Sequence, residues 1–181
     1  LGEDEFSTFL IRDFEREGVD ISYVKRVSKR VTGISFYSIN KNGERHYVFY
    51  RIPGHSDPES MFRPEDIKPE CIAQSKMLHF SESMLRCKET QKTVFKTLKL
   101  AKDNEVLVSY DPNVRKTLWT DKMDFQKTQK QVLRFVNVFM STVKEAGFIV
   151  GGKSADGMGN RIRSLGPSTV IIREKECYRV T

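Results

Sequence analysis

The fold is decided by the stretch Val106-Leu107-Val108-Ser109-Tyr110-Asp111-Pro112-Asn113-Val114-Arg115-Lys116-Thr117-Leu118-Trp119. Its short apolar run predicts a buried strand of a parallel sheet, because such strands are covered on both faces and show no polar alternation. The Asp-Pro-Asn turn ends this strand at its carboxyl end, which is the edge where open α/β sheets bind their ligands. We therefore expect Arg115 at the mouth of a crevice.

Arg115 allows two interpretations. Its planar guanidinium fits the carboxylate or phosphate of a ligand, whereas an arginine that serves only solubility can occupy any surface position. The residue types alone leave both interpretations open.

Length and composition favour one globular domain. The 181 residues are 38% hydrophobic, enough for one domain with a core rather than two small ones. The net charge of +7 favours an anionic ligand such as a nucleotide or an acidic sugar. Basic residues alternate with acidic ones along the chain, so we expect neither a nucleic-acid interface nor nucleic acid as a partner.

The cysteines indicate a reducing compartment. Cys71, Cys87 and Cys177 are odd in number and far apart, which argues against a disulfide framework or a zinc site and favours a cytoplasmic protein. The three histidines lack metal-ligand spacing, so no metal-binding residue is predicted. No apolar run reaches the roughly 18 residues of a membrane span, so no membrane association is expected.

The chain opens with a predicted amphipathic helix. Phe6, Phe9, Leu10 and Phe14 follow one another at helical spacing, and Gly18 is placed to end the helix. A helix that begins near residue 3 of an α/β chain has no strand before it to pack against. We therefore expect that sequence preceding these residues belongs to the same fold.

A β-hairpin is predicted over residues 32–51. Asn42-Gly43 lies between two β-rich runs and is a strong hairpin signal. With a two-residue loop, Phe36 pairs with Phe49, and the hairpin can close over a small polar ligand or pack on a neighbouring sheet or subunit. A bulge would exchange the two faces. The predicted face carries Ile34, Phe36, Tyr47, Phe49 and Arg51.

The rest of the chain alternates between strands and helices. Units of about thirty residues have the length of right-handed βαβ crossovers, so we predict a mainly parallel sheet flanked by helices. The region 141–165 is predicted to be helical in two pieces, broken by the glycine-rich residues 151–160. Strands are predicted to begin near Met77, Val106, Phe135, Thr169 and Cys177, and helices to cover 87–102 and 120–133.

One motif is misleading. Gly147-Phe148-Ile149-Val150-Gly151-Gly152-Lys153-Ser154 matches the P-loop pattern letter for letter. A P-loop requires a strand before it and a helix after it, whereas residues 142–146 are typical of a helix and residues 155–160 are rich in glycine. A P-loop phosphotransferase is therefore the weakest of the alternatives.

A family resemblance covers nearly the whole chain. Six segments occur in register, and together they resemble the middle part of a PfkB (ribokinase-like) carbohydrate kinase, closest to 2-keto-3-deoxygluconate kinases and fructokinases. The segments are Gly2-Glu3-Asp4-Glu5-Phe6, residues 18–24, Thr32-Gly33-Ile34-Ser35, Phe49-Tyr50-Arg51, Pro64-Glu65-Asp66-Ile67, and Asp111-Pro112-Asn113-Val114-Arg115 with Leu118-Trp119.

The resemblance implies a doubly wound α/β domain over residues 1–181, with a protruding lid hairpin at about 31–52. It also implies ATP-dependent phosphorylation of a sugar hydroxyl with Mg²⁺. The arginines that match Arg51 and Arg115 hold an acid sugar in 2-keto-3-deoxygluconate kinases, so that sugar is the expected substrate. The implied substrate-binding residues are Phe49, Arg51, Asn113 and Arg115, and Glu145, from the family's Asn-x-x-Glu, is implied at Mg²⁺-ATP.

Several departures from the family pattern favour an alternative. Ser35 and Phe49 stand where those kinases usually carry tyrosines, and Arg173 and Glu176 replace two glycines near the nucleotide. The family's first strand would precede Leu1, and its Gly-Ala-Gly-Asp motif with the catalytic base would follow Thr181, so no catalytic residue is assigned. The alternative is an inactive ligand-binding remnant that dimerises through the hairpin.

Overall fold

A computed structural model describes residues 1–50, 57–115, 119, 121–174 and 177–180. The chain forms two compact units, Leu1–Phe62 and Arg63–Thr181. Each unit is described by itself below.

The first unit begins with helix α1 (Glu5–Arg16), as predicted. The Asp4 carboxylate accepts the backbone N–H of Ser7 at 2.8 Å and caps the amino end of the helix. At the other end, Gly18 has φ +75° and donates its N–H to the Glu15 carbonyl at 3.0 Å. A left-handed glycine directly after the helix is the usual way to end it.

The predicted hairpin is present, but its register differs by one residue. Strands β1 (Ile34–Ile39) and β2 (Arg45–Tyr50) are antiparallel, and Phe36 lies opposite Val48. The predicted pairing of Phe36 with Phe49 is therefore wrong. The reason is a loop of three residues, 41–43, closed by the N–H of Gly43 on the Asn40 carbonyl at 3.0 Å, with Gly43 at φ +78°.

The shifted register divides the predicted aromatic face. The rings of Tyr47 and Phe49 stack at 5.9 Å on one side, whereas the ring of Phe36 lies on the other side, 5.6 Å from that of Tyr50. Ser35 and Phe49 are direct cross-strand partners. Arg51, the last member of the predicted face, lies outside the described residues.

The second unit contains the predicted mainly parallel sheet. Its strand order is β3-β4-β5-β6-β7, with the first four strands parallel and the last antiparallel to its neighbour. The strands are β3 (Met77–Phe80), β4 (Leu107–Tyr110), β5 (Val138–Thr142), β6 (Thr169–Glu174) and β7 (Cys177–Val180). The α-helices are α2 (Pro69–Ala73), α3 (Lys88–Asp103), α4 (Lys122–Leu133), α5 (Val143–Val150) and α6 (Ala155–Arg163).

The break between helices α5 and α6 is shorter than predicted. Helix α6 begins at Ala155, because the Ser154 hydroxyl accepts the N–H of Gly157 at 3.2 Å and caps it. Only the short connection containing Gly151 and Gly152, both at positive φ, separates α5 from α6. The prediction that residues 151–160 interrupt the helices is therefore wrong for most of its length.

The P-loop-like motif has the wrong surroundings for phosphate binding. Gly147 lies inside α5, so no strand leads into the glycine-rich residues as a P-loop requires. This position of Gly147 argues against the P-loop alternative. At the start of α4, the Asp121 carboxylate accepts the N–H of Met123 at 2.7 Å and caps the helix.

The sheet is buried mainly on one face. Each crossover joins adjacent strands, and right-handed crossovers of this kind place the connecting helices on the same side. The Tyr110 ring stacks on Phe80 at 4.5 Å there, and its hydroxyl donates to Gln129 of α4 at 2.7 Å. The side chains of Met77 and Leu107 on the opposite face are about half exposed. This order brings the carboxyl ends of the four parallel strands to one edge.

Candidate functional site

A cleft of about 520 Å³ lies at the carboxyl ends of β4, β5 and β6. Arg115 lines it, in the position that the strand and turn pattern predicted. The charged or amide side chains in its wall are Asp111, Asn113, Arg115, Lys144, Glu145 and Arg173.

The first wall of the cleft is the 111–115 loop that follows β4. The Asp111 carboxylate accepts the N–H of Asn113 at 3.2 Å, and Asn113 has φ +45°. Asparagine tolerates this left-handed conformation better than most residues, which explains the Asp-Pro-Asn sequence of the turn. The turn carries the chain from a buried strand to Arg115, which lies at the cleft half-buried.

The second wall is the start of α5, where Glu145 occupies a capping box. Its Oε2 accepts the N–H and the hydroxyl of Thr142 at 2.8 and 2.6 Å, and its Oε1 accepts the N–H of Val114 at 2.8 Å. Glu145 therefore joins α5 to the 111–115 loop. Each carboxylate oxygen has more than one lone pair, so these hydrogen bonds do not use up the capacity of Glu145 to accept further partners. Its predicted role at Mg²⁺-ATP stays a prediction.

The electrostatics of the cleft combine carboxylates with cations. Burial, reinforced by the nearby charge of Glu145, raises the pKa of Asp111 above its usual value. Lys144 and Arg173 line the same cleft, and Arg173 lies in β6 beside Thr142 of β5. Such a mixture offers oxygen ligands for a hard cation and positive groups for phosphates.

A dedicated metal cage is not seen in the described part of the chain, where no group of three or more His, Cys, Asp or Glu side chains could hold a metal ion. Mg²⁺ needs less, because it keeps several waters and is usually held by one or two carboxylates together with substrate phosphates. Asp111 and Glu145 are the two carboxylates that line the cleft. Among the described helices, none has the length and apolar character needed to cross a membrane.

The structure brings together three of the five predicted site residues. Asn113, Arg115 and Glu145 all line the cleft. Phe49 lies in the hairpin of the other unit, and Arg51 lies outside the described residues. Their ligand-binding roles stay predictions.

Sequence reasoning missed Glu82, which begins a 3₁₀ turn (Glu82–Leu85) just after β3. Only 1% of its surface is exposed, and its carboxylate accepts the backbone N–H of Arg115. The signal was available, since the argument that placed Arg115 after β4 applies equally to a polar residue just after β3.

Curated proteins of similar sequence include fructokinases. The chain is 28% identical over 156 residues to "Probable fructokinase-4" of Arabidopsis thaliana, covering 86% of this chain and 47% of that protein. The chain thus spans about half the length of the curated relatives it matches.

Solved structures match in fold over almost the whole chain. A PfkB protein from Polaromonas sp. JS666 superposes with a TM-score of 0.86 at 22% identity, covering 99% of this chain and 60% of that one. A fructokinase with bound ATP from Xylella fastidiosa gives a TM-score of 0.85 at 20% identity, covering 100% and 57%. The family model for pfkB family carbohydrate kinases matches residues 1–174. The chain therefore belongs to the PfkB family of carbohydrate kinases.

Proposed function

We propose that this chain forms part of a sugar kinase that transfers a phosphoryl group from Mg²⁺-ATP to a hydroxyl of a small sugar. The observation that carries the proposal is the cleft at the carboxyl ends of β4, β5 and β6. It has Asn113 and Arg115 on one wall, and Lys144, Glu145 and Arg173 on the other. A site of this kind needs positioning and charge neutralisation more than covalent catalysis, which suits phosphoryl transfer.

The proposed substrate is an acid sugar, with 2-keto-3-deoxygluconate as the first candidate. The guanidinium of Arg115 can donate two parallel hydrogen bonds to a carboxylate, and Asn113 can hydrogen-bond sugar hydroxyls. Phe49 and Arg51 of the lid hairpin complete the proposed sugar site. The fructokinase relatives make fructose the natural competitor, and fructose carries no carboxylate for Arg115.

The residues of the cleft also fit Mg²⁺-ATP. Lys144 and Arg173 supply positive charge for phosphates, while Asp111 and Glu145 supply oxygen ligands for the cation. When bound, Mg²⁺-ATP provides the phosphoryl group and neutralises the charge that develops on it. The structure of a Xylella fastidiosa fructokinase with bound ATP supports the choice of nucleotide.

An Arg115→Ala substitution in the full-length protein tests the carboxylate assignment. Loss of a buried, charge-assisted pair should cost roughly 2–5 kcal/mol, so KM for 2-keto-3-deoxygluconate should rise far more than KM for fructose. Steady-state kinetics with both sugars measures the difference. Arg163→Ala, which removes an exposed arginine at the end of α6, is the matched control. Equal effects of Arg115→Ala on both sugars would exclude a carboxylate at this residue.

A second candidate is an inactive relative that binds ligand without phosphorylating it. Arg173, which can also neutralise phosphate charge, favours this candidate in another respect: it stands where the resemblance implies a glycine, and its larger side chain takes up space in the cleft. ATP consumption by the 181-residue chain, measured across a panel of sugars, separates the two. Clear turnover would exclude the inactive alternative.

The proposal includes a cytoplasmic location and self-association through the hairpin. Free Cys71 and Cys87 support a reducing compartment. Exposed Phe36, Val48 and Tyr50 on one face of the hairpin support an interface between two copies. Sedimentation of wild type and of Val48→Lys tests the second point, and a monomeric wild type would contradict it.

A further inference from the structure

Glu82 is the most deeply buried acidic side chain among the described residues, at 1% exposure. It begins the 3₁₀ turn Glu82–Leu85 at the carboxyl end of β3. A carboxylate removed from water is costly unless charges and hydrogen-bond donors surround it. Its partners therefore explain why it is there.

Three groups converge on the Glu82 carboxylate. Its Oε1 accepts the backbone N–H of Arg115 at 3.1 Å, and its Oε2 accepts the indole N–H of Trp119 at 2.8 Å. The guanidinium Nε of Arg86 lies 3.3 Å from Oε2 and forms an ion pair with it. In the reverse direction, the backbone N–H of Glu82 donates to the Pro112 carbonyl at 3.1 Å.

Most of these bonds reach the chain that follows β4. Pro112 and Arg115 belong to the 111–115 loop, and Trp119 lies a few residues further along. The Trp119 ring also packs edge-on against the fully buried Phe125, with ring centroids 4.9 Å apart. Glu82 thus ties the residues after β4 to the end of the neighbouring strand β3.

The loop is held from its other side by the second glutamate. Glu145, after β5, accepts the N–H of Val114, which is the residue directly before Arg115. Two consecutive backbone N–H groups therefore donate to two carboxylates that come from the strands on either side of β4. Loops at binding sites are usually the mobile part of a fold. These two hydrogen bonds restrict the backbone of the loop at Val114 and Arg115.

We propose that Glu82 is a positioning residue for the sugar site, which acts by fixing the backbone of Arg115 so that its guanidinium meets the substrate. This inference rests on the proposed function, in which Arg115 binds the sugar. Binding groups must be held to within about 0.5 Å of their productive geometry, which a loop achieves only when its backbone is fixed. Glu82 does not contact the sugar in this scheme.

The kinetic test uses Glu82→Gln in the full-length protein. Glutamine keeps the size of the side chain but retains only one acceptor oxygen, so the Arg115 and Trp119 donors cannot both be satisfied. KM for 2-keto-3-deoxygluconate should rise by about tenfold to a hundredfold, while KM for ATP should change by no more than about twofold. Glu89→Gln, at an exposed glutamate in the first turn of α3, is the matched control.

Trp119 gives a second and independent measurement. It is the only tryptophan among the 181 residues, so in this chain tryptophan fluorescence, excited where tyrosine does not absorb, reports on it alone. In Glu82→Gln its emission should move to longer wavelength and iodide should quench it more strongly, whereas Glu89→Gln should leave the spectrum unchanged. An unchanged Trp119 spectrum in Glu82→Gln would overturn the proposal.

Two further variants separate positioning from stability. Arg86→Gln leaves the hydrogen bonds that Arg115 and Trp119 donate to the Glu82 carboxylate in place, so it should lower stability while sugar KM stays within about twofold of wild type. Trp119→Phe removes one donor and keeps an aromatic ring against Phe125, so it should raise sugar KM severalfold even if Glu82→Gln does not fold.

A sugar KM that is unchanged in Trp119→Phe, or unchanged in a folded Glu82→Gln, would reduce Glu82 to a structural residue and overturn the proposal. A wild-type protein that phosphorylates no sugar would instead overturn the proposed function, whatever the Trp119 spectra show.

Discussion

The loop after β4 and the hairpin β1–β2 carry the two halves of the predicted sugar site, yet sequence reasoning succeeded at one and failed at the other. The strand, the turn and the place of Arg115 at the cleft all agree with prediction. In the hairpin the strands are present, but every cross-strand pair is shifted by one residue. The two regions differ in how much their side chains are buried.

Burial of side chains determines the strand register in the parallel sheet but not in the hairpin. Val108 and Tyr110 of β4 are at most 1% exposed, so a shift of one residue would turn apolar side chains out of the core. In the hairpin, Phe36 and Tyr37 point to opposite faces and are 60% and 58% exposed. With both faces exposed, only the loop sets the register, and one additional loop residue exchanges the faces.

The difference in burial between the sheet and the hairpin is tested most directly by truncating one aromatic ring in each region. Phe139→Ala in β5 removes a fully buried ring and should lower the free energy of unfolding by about 3–5 kcal/mol. Phe36→Ala in β1 removes an exposed ring and should change it by no more than about 0.5 kcal/mol. Urea denaturation measures both. Both measurements are made at a protein concentration low enough to dissociate the self-association proposed for the hairpin, so a similar loss in the two variants would contradict this account.

The loop of the hairpin offers a sharper test of register. Gly43 has φ +78° with open space around the position of a Cβ, so Gly43→Ala should cost about 1 kcal/mol through backbone strain alone. Gly43→Asn is the matched control, because asparagine tolerates this conformation. NMR contacts between Tyr37 and Tyr47 identify the observed register. Contacts between Tyr37 and Val48 would instead indicate the predicted register with its two-residue loop.

The smallest expected effect concerns Asp111 at the cleft. Its pKa is raised by burial and by Glu145, so the ionised form that prevails at neutral pH is the less stable one in the folded protein. Asp111→Asn keeps the acceptor for Asn113 and should unfold at a slightly higher temperature at pH 7. The advantage should vanish as the pH falls below 3.8, where the carboxyl is protonated in both states. A variant that melts below wild type at pH 7 would contradict this account.

Much of the fold could be predicted from periodicity, whereas the site could be predicted only in part. The βα units have lengths and turns that a sequence displays directly, and the Asp-Pro-Asn turn marks the place of Arg115. The hydrogen bonds from Val114 to Glu145 and from Arg115 to Glu82 join residues 31 and 33 positions apart. No local pattern records such pairs, because they depend on which strands are neighbours.

The strictly sequential order of the parallel strands also bears on how the protein is made. Paired residues in β3 and β4, β4 and β5, and β5 and β6 lie 30, 29 and 31 positions apart, for example Met77 with Leu107, Ser109 with Val138 and Val138 with Thr169. As the nascent polypeptide leaves the ribosome, each new strand therefore finds its partner already synthesised and still at an open edge. Assembly of this sheet can keep pace with translation, one strand and one helix at a time.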